Sequence, residues 1–578
     1  MKLKNIVLFA ATSMLALTSC NDYLDVVPDT RVKLETVEQC RKLMVNAYMD
    51  INYAATCELS SDNIADNNAP APRSGVRYNR PYYDQTDEEL FKFEDVKMGI
   101  GNDSPSGVWS GCYGAIAACN AVLEAAQQLE EKGELTAAEK EQLQAIKGEA
   151  YLSRAFHHFI LVNVFCMPYG ELFANEPGIP YATEPETTVR PHYDRSTVKE
   201  TWDKIEADLL KGLELEDDAI YKIPKYHFNR QAANAFAARF YLFERKYEKV
   251  DSFATAAFAN QNPADLMQDG WTKKSQFYSS SDISRYWSST ERPGVFLCIS
   301  TYSTWGRRFG YRFSCNRDAR RCTIQGPGLS WKGIRWTRRN VEDEENRSFA
   351  MHPCFQGFCY YRGDSEWGEF FVGNAGEQFE YTDKIQGIGY AHMVRAEFTA
   401  DETVLCRAEA RAFMGDYEGA IADIKIWDDA HKKGIETQYN FLEVNEALLN
   451  STYQEDRQLD VKLFGIVKPI KIDSICPVPN YALNARNTPY IQCIQHLRRI
   501  QNVHNGMRWF DIKRLGLPVN HVYGRFAYNY DLVPGDRRYA IQIPTEVISA
   551  GMEPTNRQNP KTNAPEAAQE SKGFVLAN

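Results

Sequence analysis

The residues of this chain best suited to chemistry are flat rings and guanidinium groups crowded into one stretch. Residues 271–390 make up about a fifth of the 578, yet they hold six of the ten tryptophans, Trp271, Trp287, Trp305, Trp331, Trp336 and Trp367, with eight tyrosines and thirteen glycines. An aromatic ring offers an apolar face and, in Trp and Tyr, a polar edge. A sugar ring has an apolar C–H face and hydroxyl edges, so the two surfaces match. Most of these rings are expected to pack loops onto the fold. Trp287, Trp305, Trp331 and Trp336 are the ones singled out to face a ligand. The loop 60–83 is expected to supply a second wall through Asp62, Asn63, Arg73, Tyr78, Tyr82 and Tyr83. Turn and cap roles are the ordinary alternative for Asp62 and Asn63.

A second feature overlaps the first. Residues 285–339 carry eleven arginines and Lys332 against only Glu291 and Asp318, a local balance of +10. Arginine pairs bidentately with carboxylate or sulfate and stacks on rings. The patch therefore faces an acidic ligand, or it is a solvated face paired with the acidic run Glu342-Asp343-Glu344-Glu345.

Signatures of catalysis are missing from the sequence. It contains no H-E-x-x-H, P-loop, G-x-S-x-G or dinucleotide fingerprint, so no catalytic residue and no cofactor is assigned. His157-His158 stands inside an apolar helical run and reads as packing. His352, Cys354 and Cys359 offer three ligands without a fourth at zinc spacing, so no metal is expected there. With 77 carboxylates a glycosidase pair is not excluded by sequence. The formal charge of −11 argues against a nucleic-acid partner.

The N-terminus reads as a secretion signal over residues 1–19. Lys2 and Lys4 precede an apolar run from Ile6 to Leu17, too short to span a bilayer. The run ends in Leu17-Thr18-Ser19-Cys20, which fits a bacterial lipobox with Cys20 acylated, for example by palmitate. Two or more chains anchor a protein stably, at about 0.8 kcal/mol per buried methylene. Outer-membrane lipid is thus one expected partner. Loss of Lys2 and Lys4 takes the charge from −11 to −13. The other 13 cysteines are scattered and read mostly as small buried apolar groups. Cys112/Cys119, Cys315/Cys322 and Cys354/Cys359 are the closest pairs should one or two disulfides form.

The elements that must position these residues are mainly helical. After an extended leader (20–35), helical periodicity runs from Thr36 to about Tyr53. Residues 56–106 are loop-rich. Long helices are predicted from Val108 to Glu131 and from Ala137 to Phe165, the second opened by a capping box of Thr136 and Glu139. Helix pairs follow at 196–216 with 229–260, and at 399–415 with 416–433. The window 271–390 reads as loops with short strands and helices, and a helix is expected near 490–515.

Two helical pairs resemble tetratricopeptide repeats. One reads Ala408-Glu409-Ala410 to Gly415-Asp416-Tyr417 and Ala420; the other runs from Ala235 to Tyr247, with Arg245-Lys246 in place of Gly-Asp. The fold class is mainly α: a tetratricopeptide-like scaffold carrying a large loop-rich insertion. The divisions drawn are 36–260, 261–398 and 399–560, with a tail at 561–578.

Longer motifs carry a family resemblance. The chain opens with Cys20-Asn21-Asp22-Tyr23-Leu24-Asp25 and continues through Trp109, Tyr113, Ile116 and Asn120. Gly148-Glu149-Ala150-Tyr151-Leu152-Ser153-Arg154-Ala155 follows, then Gly506-Met507-Arg508-Trp509-Phe510-Asp511 and Ile543-Pro544. In order and spacing these resemble the SusD/RagB outer-membrane lipoproteins. The resemblance implies a helical fold, no catalysis, and binding of glycans or, in one branch, peptides. It also implies a partner, a SusC-like TonB-dependent transporter over which the lipoprotein sits. The family's glutamates before Gly-x-Arg-Trp are replaced here by Leu497, Gln501 and Asn505.

Overall fold

The computed structural model describes residues 34–70, 84–99, 101–186, 193–269, 279–315, 375–434, 441–453 and 467–558, with short pieces between them. The frame is built from α1 (Val37–Leu43), α2 (Ala54–Leu59), α3 (Gln85–Phe91), α4 (Pro105–Lys132), α5 (Ala137–Phe165), α6 (Val198–Leu215), α7 (Arg230–Phe243) and α8 (Tyr247–Ala257). After α9 (Ser280–Trp287) and a strand-bearing insertion come α10 (Ala400–Met414), α11 (Tyr417–Lys432), α12 (Thr488–Gln501) and α13 (Met507–Leu515). The mainly helical class is thus observed.

Local chemistry sets the helix ends. Thr136 accepts from the Glu139 N–H while Glu139 reaches back to Thr136, the predicted capping box. At the other end of α5, the buried Lys513 ammonium donates to the carbonyls of Asn163 (2.5 Å) and Cys166 (2.6 Å), where helix carbonyls lack partners. Burial lowers the Lys513 pKa to about 8. Gly148 lies where a Cβ would meet the backbone of Leu215 at 2.8 Å, so α5 and α6 approach as only a glycine permits.

The two repeat-like pairs stack on one another although some 140 residues separate them in sequence. The Tyr247 ring of α8 lies on Phe413 of α10 at 4.7 Å and 7°. Tyr417 occupies the matching place on α11 and meets Tyr490 of α12 at 5.1 Å. Each tyrosine fills the space toward the next helical layer.

Four predicted boundaries are corrected. The helix expected over 36–53 is α1 alone, followed by a single tight turn over Met44–Asn46. The stretch 56–106 holds most of α2 and all of α3. The expected 229–260 helix breaks at Glu244-Arg245-Lys246, where Arg245 adopts φ +58°, the conformation Gly415 takes at φ +82° in the other pair. Arg245 is held there by donating to Asp473 (2.9 Å) and to the carbonyls of Cys476 and Tyr481. The expected 490–515 helix divides into α12 and α13, because His504 (φ +66°) and Gly506 (φ +92°) reverse the chain against Tyr53 and Ala54.

Cys112 and Cys119 do not pair. Both lie on α4 seven residues apart, about 10 Å along the axis, beyond disulfide reach. They are buried free thiols, and burial pushes Cys119 up to about 12. Cys322 and Cys354 lie outside the described residues.

Between α9 and α10 the insertion forms a three-stranded antiparallel sheet of order β1 (Val295–Tyr302), β3 (Ile388–Thr399), β2 (Glu377–Asp383). Its central strand runs directly into α10, with Thr399 capping that helix. The sheet is therefore rooted in the helical frame and aims its far end at α4.

Candidate functional site

At that far end a cleft of about 400 Å³ opens between the sheet and the start of α4. One wall is the loop before α4. Ser104 caps that helix and donates to the carbonyls of Gly99 (2.7 Å) and Gly101 (2.5 Å). A Cβ on Gly107 would meet the Gly101 carbonyl at 2.7 Å, so the loop rests directly on the first turn. The opposite wall is the exit of β1, pinned by Asp103. Its carboxylate accepts from Ser303 Oγ (2.6 Å), Thr304 N–H (2.8 Å) and Thr304 Oγ1 (2.9 Å).

Rings close the third side. Tyr302 and His392 stand opposite each other in the β1–β3 register, with centroids 4.2 Å apart. Tyr390, two residues earlier on the same face, meets Tyr302 edge-on at 5.7 Å and is 57% exposed. Phe379 lies under the Arg307 guanidinium at 5.7 Å. Gly389 leaves room beside it, since a Cβ there would reach the Phe379 ring at 2.9 Å. The cleft thus pairs open ring surface with fixed hydroxyls and carbonyls, the combination a polyol needs.

The arginines of the cleft are already engaged. Arg307 bonds Glu377 through both Nε and Nη2, the latter at 2.9 Å. Arg308 bonds Asp87 and lies 3.7 Å from Asp103. Burial pushes Asp87 up to about 6 even with Arg308 beside it. Nearby, Arg312 grips Asp66 bidentately at 2.9 Å, and Arg285 pairs with Asp282 at 2.6 Å. Arg317, Arg320, Arg321, Lys332, Arg335, Arg338 and Arg339 lie outside the described residues.

Of the residues singled out from sequence, the four that the structure describes, Trp287, Trp305, Asp62 and Asn63, fall elsewhere. Trp287 (3% exposed) and Trp305 (1% exposed) are core side chains. Trp305 Nε1 donates to the His504 carbonyl at 3.0 Å. Asp62 sits in a cage of cations, bonded by Arg508 (2.8 and 3.0 Å) and Lys468 (2.5 Å), with Arg499 at 3.5 Å. Burial alone would raise its pKa, but Arg499, Arg508 and Lys468 outweigh that and hold it well below the usual carboxylate range. Asn63 accepts from Arg499 (2.9 Å) and donates to Glu58 (3.0 Å). Both residues tie α2 to the C-terminal helices and neither lines the cleft. Arg73, Tyr78, Tyr82, Tyr83, Trp331 and Trp336 lie outside the described residues.

His157 and His158 are buried and pack as expected. His157 Nε2 accepts from the Met49 N–H at 2.9 Å, and His158 stacks on Tyr181 at 3.8 Å. Burial lowers their pKa values to about 4 and about 3. Among the described residues no group of three or more His, Cys, Asp or Glu is placed to hold a metal. Among them, too, no helix is long and apolar enough to cross a membrane.

Sequence comparison matches residues 22–242 to a SusD-like family model described as starch-binding and associating with the outer membrane. The fold likeness extends over most of the chain. A SusD superfamily protein from Bacteroides vulgatus matches at 15% identity and TM-score 0.57, over 91% of this chain and 100% of that one. Residues 22–242 are thus similar to that family, and the fold of the chain is SusD-like. A SusD-like carbohydrate-binding protein from the same organism matches at 15% identity and TM-score 0.52, over 89% of this chain and 97% of that one. A structure described as a laminarin-binding SusD-like protein matches at 14% identity and TM-score 0.50, over 90% and 99%. At such identities the SusD-like fold is what these likenesses share. No curated protein sequence matches this chain.

Proposed function

We propose that this SusD-like chain captures neutral oligosaccharides in the cleft between the sheet and α4. The observation that carries the reading is the exposed Tyr390 ring set beside Tyr302, above hydroxyl and carbonyl groups fixed by Asp103 and Ser104. A sugar lays its C–H face on such a ring and turns its hydroxyls to the fixed groups. Neutral ligands are favoured because Arg307 and Arg308 already face carboxylates. The family description as starch-binding and the laminarin-binding neighbour support a glycan over the peptide alternative.

The chain is proposed to act at the outer membrane as a lipoprotein anchored through acylated Cys20. It passes its ligand to a SusC-like TonB-dependent transporter and breaks no bond. Binding is expected in the micromolar to millimolar range, since a few ring contacts must offset the cost of ordering the ligand and still let it go. Titration with a panel of neutral glucans, acidic glycans and peptides tests the reading. Saturable binding of a neutral glycan, recovered uncleaved after long incubation, is the expected result. Binding of peptides alone, or shortened glycan products, would contradict it.

A further inference from the structure

A second hollow, of about 200 Å³, opens between α1 and the loop 220–227. Its floor is a buried carboxylate. Glu149 is 1% exposed at its side chain, and its oxygens accept from Tyr48 Oη (2.6 Å), His227 Nδ1 (2.8 Å) and Tyr221 Oη (2.9 Å). Because a carboxylate only accepts, Nδ1 carries the proton, and Nε2 is the imidazole nitrogen left to the hollow. The Tyr221 and His227 rings are stacked at 4.2 Å and 12°. A buried charge is costly unless its lone pairs are filled. Here two of the groups that fill them, Tyr221 and His227, line the hollow, so the carboxylate fixes their orientation.

The rim adds open ring and apolar surface. Tyr226 is 47% and Ile223 49% exposed, and both line the hollow. Charge around it is close to balanced. Arg41 and Lys222 line it, Glu38 holds Arg41 at 2.7 and 2.8 Å, and Arg230 pairs with Glu216 at 3.2 Å beside Asp218. That balance favours an uncharged ligand. A flat apolar shelf beside fixed hydrogen-bonding groups is again the complement of a sugar ring.

We propose that this hollow is a second saccharide site, taking one neutral hexose unit with its C–H face on Tyr226 and Ile223 and a hydroxyl at His227 Nε2. Only the ligand class rests on the glycan reading of the main cleft; the residues are separate. A polymer held in the main cleft would gain affinity from a second contact without any change at the first.

Saturation-transfer NMR on the full mature chain tests this, with the methyl glycosides of glucose, galactose and mannose as probes. The variants are Y302A/Y390A in the main cleft, I223S/Y226A in the hollow, and the two combined. Ile223 and Tyr226 are half exposed, so their replacement leaves the core intact. The expected result is a signal that survives in Y302A/Y390A and falls about fivefold or more when I223S/Y226A is added. A signal lost entirely in Y302A/Y390A would refute the hollow and leave the main cleft standing. A signal unchanged in the combined variant would place binding elsewhere and also refute it. If the wild type were silent towards every monosaccharide glycoside, the hollow would be refuted as well. Oligosaccharide titration would then judge the main cleft separately.

Discussion

Buried charge decides much at the residue scale. Asp62 was legible in the sequence as a polar loop residue suited to a ligand, yet its partners Lys468, Arg499 and Arg508 lie more than 400 positions away. No local pattern reveals such a cage. Asp62→Asn would leave three cations facing one neutral group, and breaking a buried pair costs about 3–5 kcal/mol. Chemical denaturation should show that loss, whereas a ligand-binding role would leave stability near wild type. Glu58 makes a pH-dependent prediction. Burial raises its pKa from 4.5 to about 7. The folded chain therefore holds a proton that the unfolded chain has released. This contribution to stability is full below pH 4.5 and lost as pH rises through 7, by about 3 kcal/mol in all. Glu58→Gln should flatten that part of the stability–pH curve, and an unchanged curve would disprove the assignment.

At the scale of elements, helices were the most legible part. The capping box at Thr136 placed α5 at its observed start, and Gly415-Asp416 placed the α10–α11 turn. The break between α12 and α13 was missed although Gly506 lies in it, and the single span predicted over 229–260 hid the turn that the repeat resemblance set at Arg245-Lys246. Arg245 reverses the chain through long-range hydrogen bonds, which the sequence around it does not show. The hairpin that builds the cleft did leave a signal: aromatic alternation at Phe379-x-Tyr381 and Tyr390-x-His392, joined across Gly387. Tryptophan number singled out the window that holds the proposed cleft, but Trp287 and Trp305 are large enough to be core and are used that way. The loop before α4 yields a test. Gly107→Ala would press a methyl on the carbonyls of Gly101 and Asn102, at 2.7 and 2.8 Å. We expect glycan affinity to fall about tenfold, roughly 1.4 kcal/mol, with helix content by circular dichroism unchanged. Undiminished affinity would show that this loop is not a wall of the site.

For the whole molecule, stacked helical pairs hold a sheet whose outer end meets α4, and the cleft lies at that junction. The frame is pinned through its centre by ion pairs between distant segments, such as Arg239 with Glu397 (2.7 Å) and Arg514 with Glu409 (2.5 Å). A rigid frame lets a small set of exposed rings bind weakly without the cost of ordering a loop. The central claim is that this cleft is where the glycan binds. Isothermal titration of a neutral glucan against wild type and Y302A/Y390A is the most direct test. We predict at least about a tenfold loss of affinity with an unchanged unfolding midpoint. Equal affinity in the two proteins would contradict the account.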